Sequence, residues 1–248
     1  MLFFGNSVKN GKEVIEDLFF FSESQMLDCN QYVINNREND ELILFDTGNG
    51  KSLNALIDGM FKVGLDYRKI TKIYLTHEHV DHVLGLYAIL NELKNNPPEI
   101  FAYEKTAKIL QEGNESEIIP GSLGISASMF GVEITPINVI ELKESEEIEI
   151  NSDFNFKIYY TPGHSIGSIV YYESNKKILL PGDLIFIGGS FGRYDFPGGS
   201  LTKLQESIEF TNRLDVIFLL PGHMGISDNG NEQIEYSNRM VHSLKDYF

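Results

Sequence analysis

The sequence predicts a mixed chain of the α/β or α+β class, with strands and helices interleaved from end to end. Three observations carry that expectation. Short apolar runs of strand length recur along the chain, each closed by Gly, Asn or Pro. Between them lie longer stretches whose apolar residues fall three and four apart, the spacing of a helix that buries one face. No Ser/Gly linker, low-complexity block or fixed-period repeat divides the 248 residues, of which 42% are hydrophobic. A chain of that length and composition buries a substantial core, and one domain over residues 1–248 is expected.

The elements follow in order. Gln31 to Ile34 and Leu42 to Phe45 are apolar runs joined by the polar turn Asn35 to Asp40, and predict paired strands. Ser52 to Val63 predicts a helix, with Leu53, Leu56, Ile57 and Met60 on one face. Ile73 to Leu75 is a short strand, and Val83 to Leu93 and Lys105 to Glu112 are helical stretches. Ser122 to Phe130 shows no clear period. Ile148-Glu149-Ile150 alternates as a strand with one wet face does, which makes Glu141, Glu144, Glu146, Glu147 and Glu149 a solvated surface. Strands are then expected at Phe156–Tyr160, Ile169–Tyr172, Lys177–Leu180 and Val216–Leu220, and helices at Thr202–Arg213 and Glu232–Asp246. On the last helix Ile234, Ser237, Val241, Leu244 and Phe248 share a stripe, the pattern of a helix packed on a core.

Charge and cysteine content exclude several roles. Twenty basic against 36 acidic side chains give a net charge of −16 with no basic run, a poor match to nucleic-acid phosphates. No apolar stretch reaches the roughly 18 residues that span a bilayer. The start, Met1-Leu2-Phe3-Phe4-Gly5-Asn6, lacks a basic segment followed by an apolar one, so secretion is not expected. The single Cys29 excludes an internal disulfide and a zinc ribbon. Cys29 itself falls in a probable strand away from the chemical motifs and is expected to be a small buried hydrophobe. The expectation is a soluble cytoplasmic protein acting on a small molecule, without nucleic-acid or membrane partners; a homo-oligomer is compatible with all of this.

The densest chemistry is Thr76-His77-Glu78-His79-Val80-Asp81-His82, after a strand and before a helix. His77 and His79, two residues apart in an extended turn, can face the same side. Asp81 and His82 then sit at the helix entry. Imidazole and carboxylate are ligands that zinc, iron and manganese accept. One histidine here would be an ordinary surface or core residue; three histidines and an aspartate at this spacing point to metal.

A second pattern repeats. Strands run into Thr161-Pro162-Gly163-His164, into Pro181-Gly182-Asp183 and into Pro221-Gly222-His223. Proline ends a ladder and glycine allows a sharp turn, so each turn presents the following His or Asp at a strand end. Three such turns suggest three strand ends converging on one site. Of the six histidines only His242 is left over, on the last helix, as a surface or packing residue. The candidate donors are His77, His79, Asp81, His82, His164, Asp183 and His223. Seven are too many for one tetrahedral ion and suit two divalent ions that share a carboxylate and a water.

His77-x-His79-x-Asp81-His82 followed by His164, Asp183 and His223 resembles the ligand pattern of the metallo-β-lactamase superfamily. Leu44-Phe45-Asp46-Thr47-Gly48 is similar to that family's first motif. The resemblance runs from about Asn30 to His223 and implies the fold: a four-layer αββα sandwich with the metals at one edge. It implies that His77, His79 and His164 hold one ion, that Asp81, His82 and His223 hold the other, and that Asp183 bridges them. Asp46 would orient the loop that carries the histidines. Zinc is the first expectation for both ions, with iron or manganese as alternatives.

Two ions about 3.5 Å apart would make hydroxide available from a shared water near neutral pH and stabilise a developing oxyanion, with no Ser or Cys nucleophile. Asp81 would orient that nucleophile and take its proton. The loop Gly192-Arg193-Tyr194-Asp195-Phe196-Pro197-Gly198-Gly199 and the stretch Thr161 to Ser168 resemble glyoxalase II-like hydrolases. The resemblance implies a thioester substrate, an acyl group on glutathione or another small thiol, with Arg193 either meeting a substrate carboxylate or pairing with Asp195. About 25 residues follow His223, room for one helix. The further thiol contacts carried by longer glyoxalase II enzymes are therefore not expected. The rival readings on the same scaffold are an iron-dependent persulfide dioxygenase and a lactone or β-lactam hydrolase. A nuclease is disfavoured by the charge.

Overall fold

The computed structural model describes residues 9–24 and 26–244. Met1–Asn6 and Phe248 lie outside them. Seven strands form one mixed sheet in sequence order: β1 (Gly11–Ile15), β2 (Leu18–Phe21), β3 (Gln31–Asn36), β4 (Glu41–Phe45), β5 (Ile70–Tyr74), β6 (Glu99–Tyr103) and β7 (Ile140–Leu142). Five more form a second sheet: β8 (Glu147–Asn151), β9 (Phe154–Tyr160), β10 (Ile169–Glu173), β11 (Ile178–Leu180) and β12 (Phe218–Leu219), in spatial order β12-β11-β10-β9-β8. Among the described residues seven α-helices accompany them: α1 (Leu53–Lys62), α2 (Val80–Val83), α3 (Gly85–Glu92), α4 (Glu104–Glu112), α5 (Glu115–Ile118), α6 (Leu201–Thr211) and α7 (Gly230–Ser243).

Side-chain alternation along the strands builds the layers. In β4, Ile43 and Phe45 face the opposing sheet while Leu42 and Leu44 face helices. In β10, Ile169 and Tyr171 face inward and Val170 and Tyr172 outward. A strand buried on both faces reads as an unbroken apolar run, as Leu42 to Phe45 does. Three apolar clusters result. One joins the first sheet to α1, α3 and α4; one lies between the sheets; one joins the second sheet to α6 and α7. This is the four-layer αββα sandwich.

The inter-sheet cluster is aromatic beneath the site. Phe45 packs on Tyr74, Phe156 and Tyr171 with ring centroids 5.6, 5.5 and 5.3 Å away. Each such pair contributes about 0.5–1.5 kcal/mol beyond area burial. Two phenols then tie the layers together. Tyr171 in the second sheet donates to the Leu75 carbonyl at 2.7 Å, and Tyr32 in the first donates to the Pro221 carbonyl at 2.7 Å. These bonds reach the two chain segments, next to Thr76 and next to His223, that carry the candidate donors.

Several local expectations are corrected. The helix expected over 83–93 is two helices that meet at Leu84 and Gly85. The His82 carbonyl accepts from the Thr47 amide at 2.9 Å and the Thr47 hydroxyl at 2.7 Å, which draws it out of a regular helical ladder. Gly85 lets the chain pass there, since a Cβ would lie 1.9 Å from the Thr47 carbonyl oxygen. The segment 122–130 is made of tight 3-10 turns, over Gly121–Leu123 and Ala127–Phe130, which explains its missing period. The strand expected over 216–220 is regular only at Phe218–Leu219. On α7 the stripe is buried at Ile234, Ser237 and Val241, but the helix ends at Ser243 and Leu244 is exposed. In β8, Glu147 and Glu149 face solvent and Ile148 and Ile150 face the core.

Cys29 is corrected in place, not in burial. It is fully buried, but it precedes β3, and it is not remote: its sulfur, an Asp46 oxygen and a His82 ring nitrogen lie within 4.8 Å of one another. Burial pushes its thiol up, so it stays a neutral packing group rather than a thiolate ligand.

Candidate metal centre

Strand direction puts the donors on one edge. β9 and β11 both run antiparallel to β10, and β12 runs parallel to β11, so all three end on the same side. Their ends carry His164, Asp183 and His223. In the other sheet β4 and β5 are parallel, and their ends carry Asp46 and the Thr76–His82 loop. Asp46 leaves β4 at φ +56°, a left-handed conformation that asparagine and aspartate tolerate better than most residues. One carboxylate oxygen there accepts from the Thr76 amide at 2.8 Å. The other accepts from the Thr76 hydroxyl at 2.8 Å and lies 2.8 Å from His82 Nδ1.

Two clusters of donor atoms share a boundary. His164 Nε2 lies 2.8 Å from His79 Nδ1 and 3.2 Å from His77 Nε2. Beside this trio, His223 Nε2 lies 3.3 Å from Asp81 Oδ2 and 3.2 Å from Asp183 Oδ2, and His82 Nε2 lies 3.2 Å from Asp183 Oδ1. Asp183 Oδ2 is also 3.5 Å from His164 Nε2, so this carboxylate touches both clusters. All seven donors named from the sequence are brought together. His242 is exposed on α7 and takes no part.

A divalent ion fits these residues on two observations. His82 Nε2 and Asp183 Oδ1 are buried, lie 3.2 Å apart and make no well-aligned hydrogen bond, a costly state that an ion beside them relieves. His164 Nε2 faces the nitrogens of His79 and His77 at 2.8 and 3.2 Å, near the roughly 3.3 Å between ligand atoms around a tetrahedral ion with bonds of about 2.0 Å, and all three lie within 4.8 Å of one another.

The rings are aimed by their other nitrogens. His77 Nδ1 lies 3.0 Å from the Thr76 hydroxyl, His82 Nδ1 faces Asp46, and His164 Nδ1 lies 2.7 Å from the Arg193 carbonyl, to which it donates. His223 Nδ1 lies 2.8 Å from Glu23 Oε2. Four imidazoles thus present Nε2 to the cluster, each with an orienting partner behind it, as metal-binding histidines do. Glu23 has no signal in the sequence, because it meets His223 only through the fold. Its second oxygen accepts from the Met224 amide at 3.0 Å. Glu78, between His77 and His79, points the other way: it accepts from the Thr106 hydroxyl at 2.9 Å and the Gly167 amide at 3.3 Å, which fastens the His164 loop to α4.

Charge differs between the clusters. Burial, with neighbouring imidazoles, holds His77 well below the usual histidine range. It pushes His79 down to about 3. Both stay neutral, the form that binds metal. Burial opposes ionisation of Asp183, but His223 and His82 outweigh it and hold its carboxyl well below the usual carboxylate range. Burial likewise lowers His223, but Asp183, Asp81 and Glu23 reverse the shift and raise it.

Five of the donors, His79, Asp81, His164, Asp183 and His223, line one side of a cavity of about 270 Å³ that also holds Leu27, Leu123, Phe186, Arg193 and Phe196. Among the described residues that line it there is no Ser, Thr or Cys. Arg193 pairs with Asp195, its Nε and Nη2 reaching the two carboxylate oxygens at 2.8 and 2.6 Å.

Comparison with known proteins gives a family and a fold. A family model described as the metallo-beta-lactamase superfamily matches residues 25–223. A probable metallo-hydrolase of Methanocaldococcus jannaschii is 34% identical over 205 residues, covering 80% of this chain and 89% of the relative. A hydroxyacylglutathione hydrolase of Haemophilus influenzae is 33% identical over 166 residues, covering 65% of this chain and 72% of the relative. Among solved structures, a metallo-beta-lactamase family protein of Thermus thermophilus superposes with a TM-score of 0.74 at 19% identity, over 93% of this chain and 81% of that one. A chain solved in a di-iron-bound form superposes with a TM-score of 0.64 at 23% identity, over 85% of this chain and 94% of that one. No helix among the described residues is long and apolar enough to cross a membrane.

Proposed function

The chain belongs to the metallo-β-lactamase superfamily, and from that premise we propose that this metallo-hydrolase cleaves a small-molecule thioester with two divalent ions at its His/Asp clusters. The observation that carries the reading is the pairing of seven convergent donors with an apolar cavity that has no Ser, Thr or Cys among the described residues of its lining. The relative in Haemophilus influenzae, named as a hydroxyacylglutathione hydrolase, supports the thioester.

Each residue has a task in this reading. His77, His79 and His164 would hold one ion and Asp81, His82 and His223 the other, with Asp183 touching both clusters. Bound there, the ions supply Lewis acidity and a water of lowered pKa. Asp81 is the more open of the two carboxylates, with its side chain 15% exposed against 8% for Asp183, and takes the proton given up by the attacking water. Asp46, Thr76, Glu23 and the Arg193 carbonyl keep the imidazoles aimed. Zinc is the first choice of metal, with iron or manganese compatible with the same nitrogen and oxygen set.

Metal analysis of the purified protein, paired with a thioester-hydrolysis panel, tests this. About two ions per chain and chelator-sensitive hydrolysis are expected. About one iron per chain, with oxygen uptake on a persulfide, would replace the hydrolase by a dioxygenase.

Gly222→Ala tests the geometry without replacing a donor. A Cβ at this residue would lie 2.4 Å from Asp183 Oδ1 and 2.8 Å from His82 Cε1. The glycine of this Pro-Gly turn is therefore needed for close approach to the cluster. Metal affinity is expected to fall by about 10- to 100-fold, as it does when the groups around a metal site are disturbed. Unchanged metal content after dialysis would show that Asp183 and His82 do not share an ion.

A further inference from the structure

The cavity beside the donors is walled by carbon. Leu27 comes from the β2–β3 loop, Pro120 and Leu123 from the turns after α5, Phe186 from the segment after β11, and Phe196 from the loop before α6. These side chains come from four separate parts of the chain, so the apolar wall is built rather than incidental. Arg193 is the one Lys or Arg among the described residues of the lining, and its charge is already answered. Its guanidinium makes the two-pronged pair with Asp195 and lies over the Phe196 ring, 3.9 Å from the centroid. What Arg193 offers the cavity is a neutralised pair stacked on an aromatic face.

Two exposed methionines adjoin lining residues in the chain. Met26, next to Leu27, is 87% exposed, and Met224, next to His223, is 48% exposed. Exposed methionines are adaptable apolar contacts. Leu27 sits at φ +56°, a conformation that disfavours a leucine, and it is held there between Met26 and the buried Asp28. Backbone held in a sparsely populated region is a mark of functional loops.

A glutathione conjugate carries two carboxylates and an ammonium away from the reacting bond. A carboxylate seated on this wall, away from the ions at the donors, would find no Lys or Arg among the described lining residues except Arg193, which already pairs with Asp195, at a cost of several kcal/mol. An uncharged hydrocarbon chain loses nothing there and gains the full burial of each methylene. The cavity, about 270 Å³, lies at the small end of ligand sites and fits a medium-length chain better than a whole peptide conjugate.

We propose that this site selects a thioester whose acyl chain is apolar and uncharged, seated on Leu27, Leu123, Phe186 and Phe196, and carried by a thiol without a large negative charge. The inference rests on the reading of the site as a thioesterase and specifies its substrate class. No new chemical step is involved: water cleaves the acyl–sulfur bond, giving the carboxylate and the free thiol.

The test is a series of N-acetylcysteamine thioesters, acetyl, butyryl, hexanoyl and octanoyl, alongside S-lactoylglutathione, with the metal-loaded protein. The value of kcat/KM is expected to rise roughly three- to fourfold for each methylene that enters the cavity, on the order of a hundredfold from acetyl to hexanoyl. The hexanoyl compound should exceed S-lactoylglutathione by at least about tenfold. In Leu123→Gln the ratio of hexanoyl to acetyl turnover should fall about tenfold, a ratio that loss of folded or metal-loaded protein does not change. Hydrolysis with a flat chain-length profile, or with S-lactoylglutathione preferred, overturns this inference and leaves the thioesterase standing. Hydrolysis of none of the series with metal bound overturns both.

Discussion

Asp183→Ala is expected to abolish turnover and to cost the protein metal from both clusters. Asp183 is the one carboxylate that touches both groups of donors: Oδ1 is 3.2 Å from His82 Nε2, and Oδ2 is 3.2 Å from His223 Nε2 and 3.5 Å from His164 Nε2. Removing it takes away the carboxylate that faces buried His82 Nε2 and one of the three carboxylates that face His223, beside Asp81 and Glu23. Loss of a shared ligand removes several kcal/mol of stabilisation, so kcat/KM should drop by at least about a thousandfold. Metal content should fall from about two ions per chain to one or none. His79→Ala, which touches the three-histidine cluster alone, should retain the second ion and so leave at least as much metal as Asp183→Ala. Asp46→Asn changes only the support of His82 and Thr76, and a fall of about 10- to 100-fold is expected. Circular dichroism on each variant separates loss of the site from loss of the fold. An Asp183→Ala protein with native metal content and rate would show that the two clusters do not act as one centre.

The distance in sequence between interacting residues decided what could be read in advance. The Thr76–His82 loop announces itself because its donors are adjacent in the chain. The three Pro-Gly turns do so because the same local grammar recurs, and the parallel course of β9, β11 and β12 makes their ends coincide. Residues that support the donors follow no local rule. Glu23 faces His223 from 200 positions away, and nothing in Ser22-Glu23-Ser24 marks it. Cys29 looked distant from the metal motifs for the same reason, although β3 and β4 bring its sulfur against His82 and Asp46. Segment 122–130 shows the opposite limit. Its 3-10 turns leave no period to detect, yet Leu123 from that stretch is one wall of the cavity. Chemistry carried by a short motif was legible; the shape that receives a substrate was not, because loops with separate origins assemble it.

The loop that brings Glu23, Leu27 and Asn30 to the site hangs on one buried ion pair, and Lys9→Met is expected to show it. Lys9 Nζ lies 2.8 Å from Asp28 Oδ2, and both side chains are fully buried. The same ammonium donates to the Cys29 carbonyl at 3.0 Å and to the Gln31 side chain. Asp28 in turn accepts from the Ser52 hydroxyl at 2.7 Å at the start of α1. Two residues on, the Asn30 amide donates to the Gly222 carbonyl at 2.7 Å, and its side chain to the Pro221 carbonyl at 2.9 Å, directly beside His223. Methionine matches the lysine stem but leaves Asp28 charged, buried and unpaired, which costs about 3–5 kcal/mol. For a chain of this size that is roughly a 10 °C fall in Tm. The damage should be electrostatic rather than volumetric, so adding Asp28→Asn to Lys9→Met should restore most of the loss, since the amide needs no counter-charge and still accepts from Ser52. Turnover is expected to fall in the single variant and recover in part in the double one, because the same loop carries the contacts that hold the His223 turn. A Tm unchanged in Lys9→Met would mean that the loop is held by Asn30 and Glu23 alone, and a double variant no better than the single would mean that Lys9 acts through its shape.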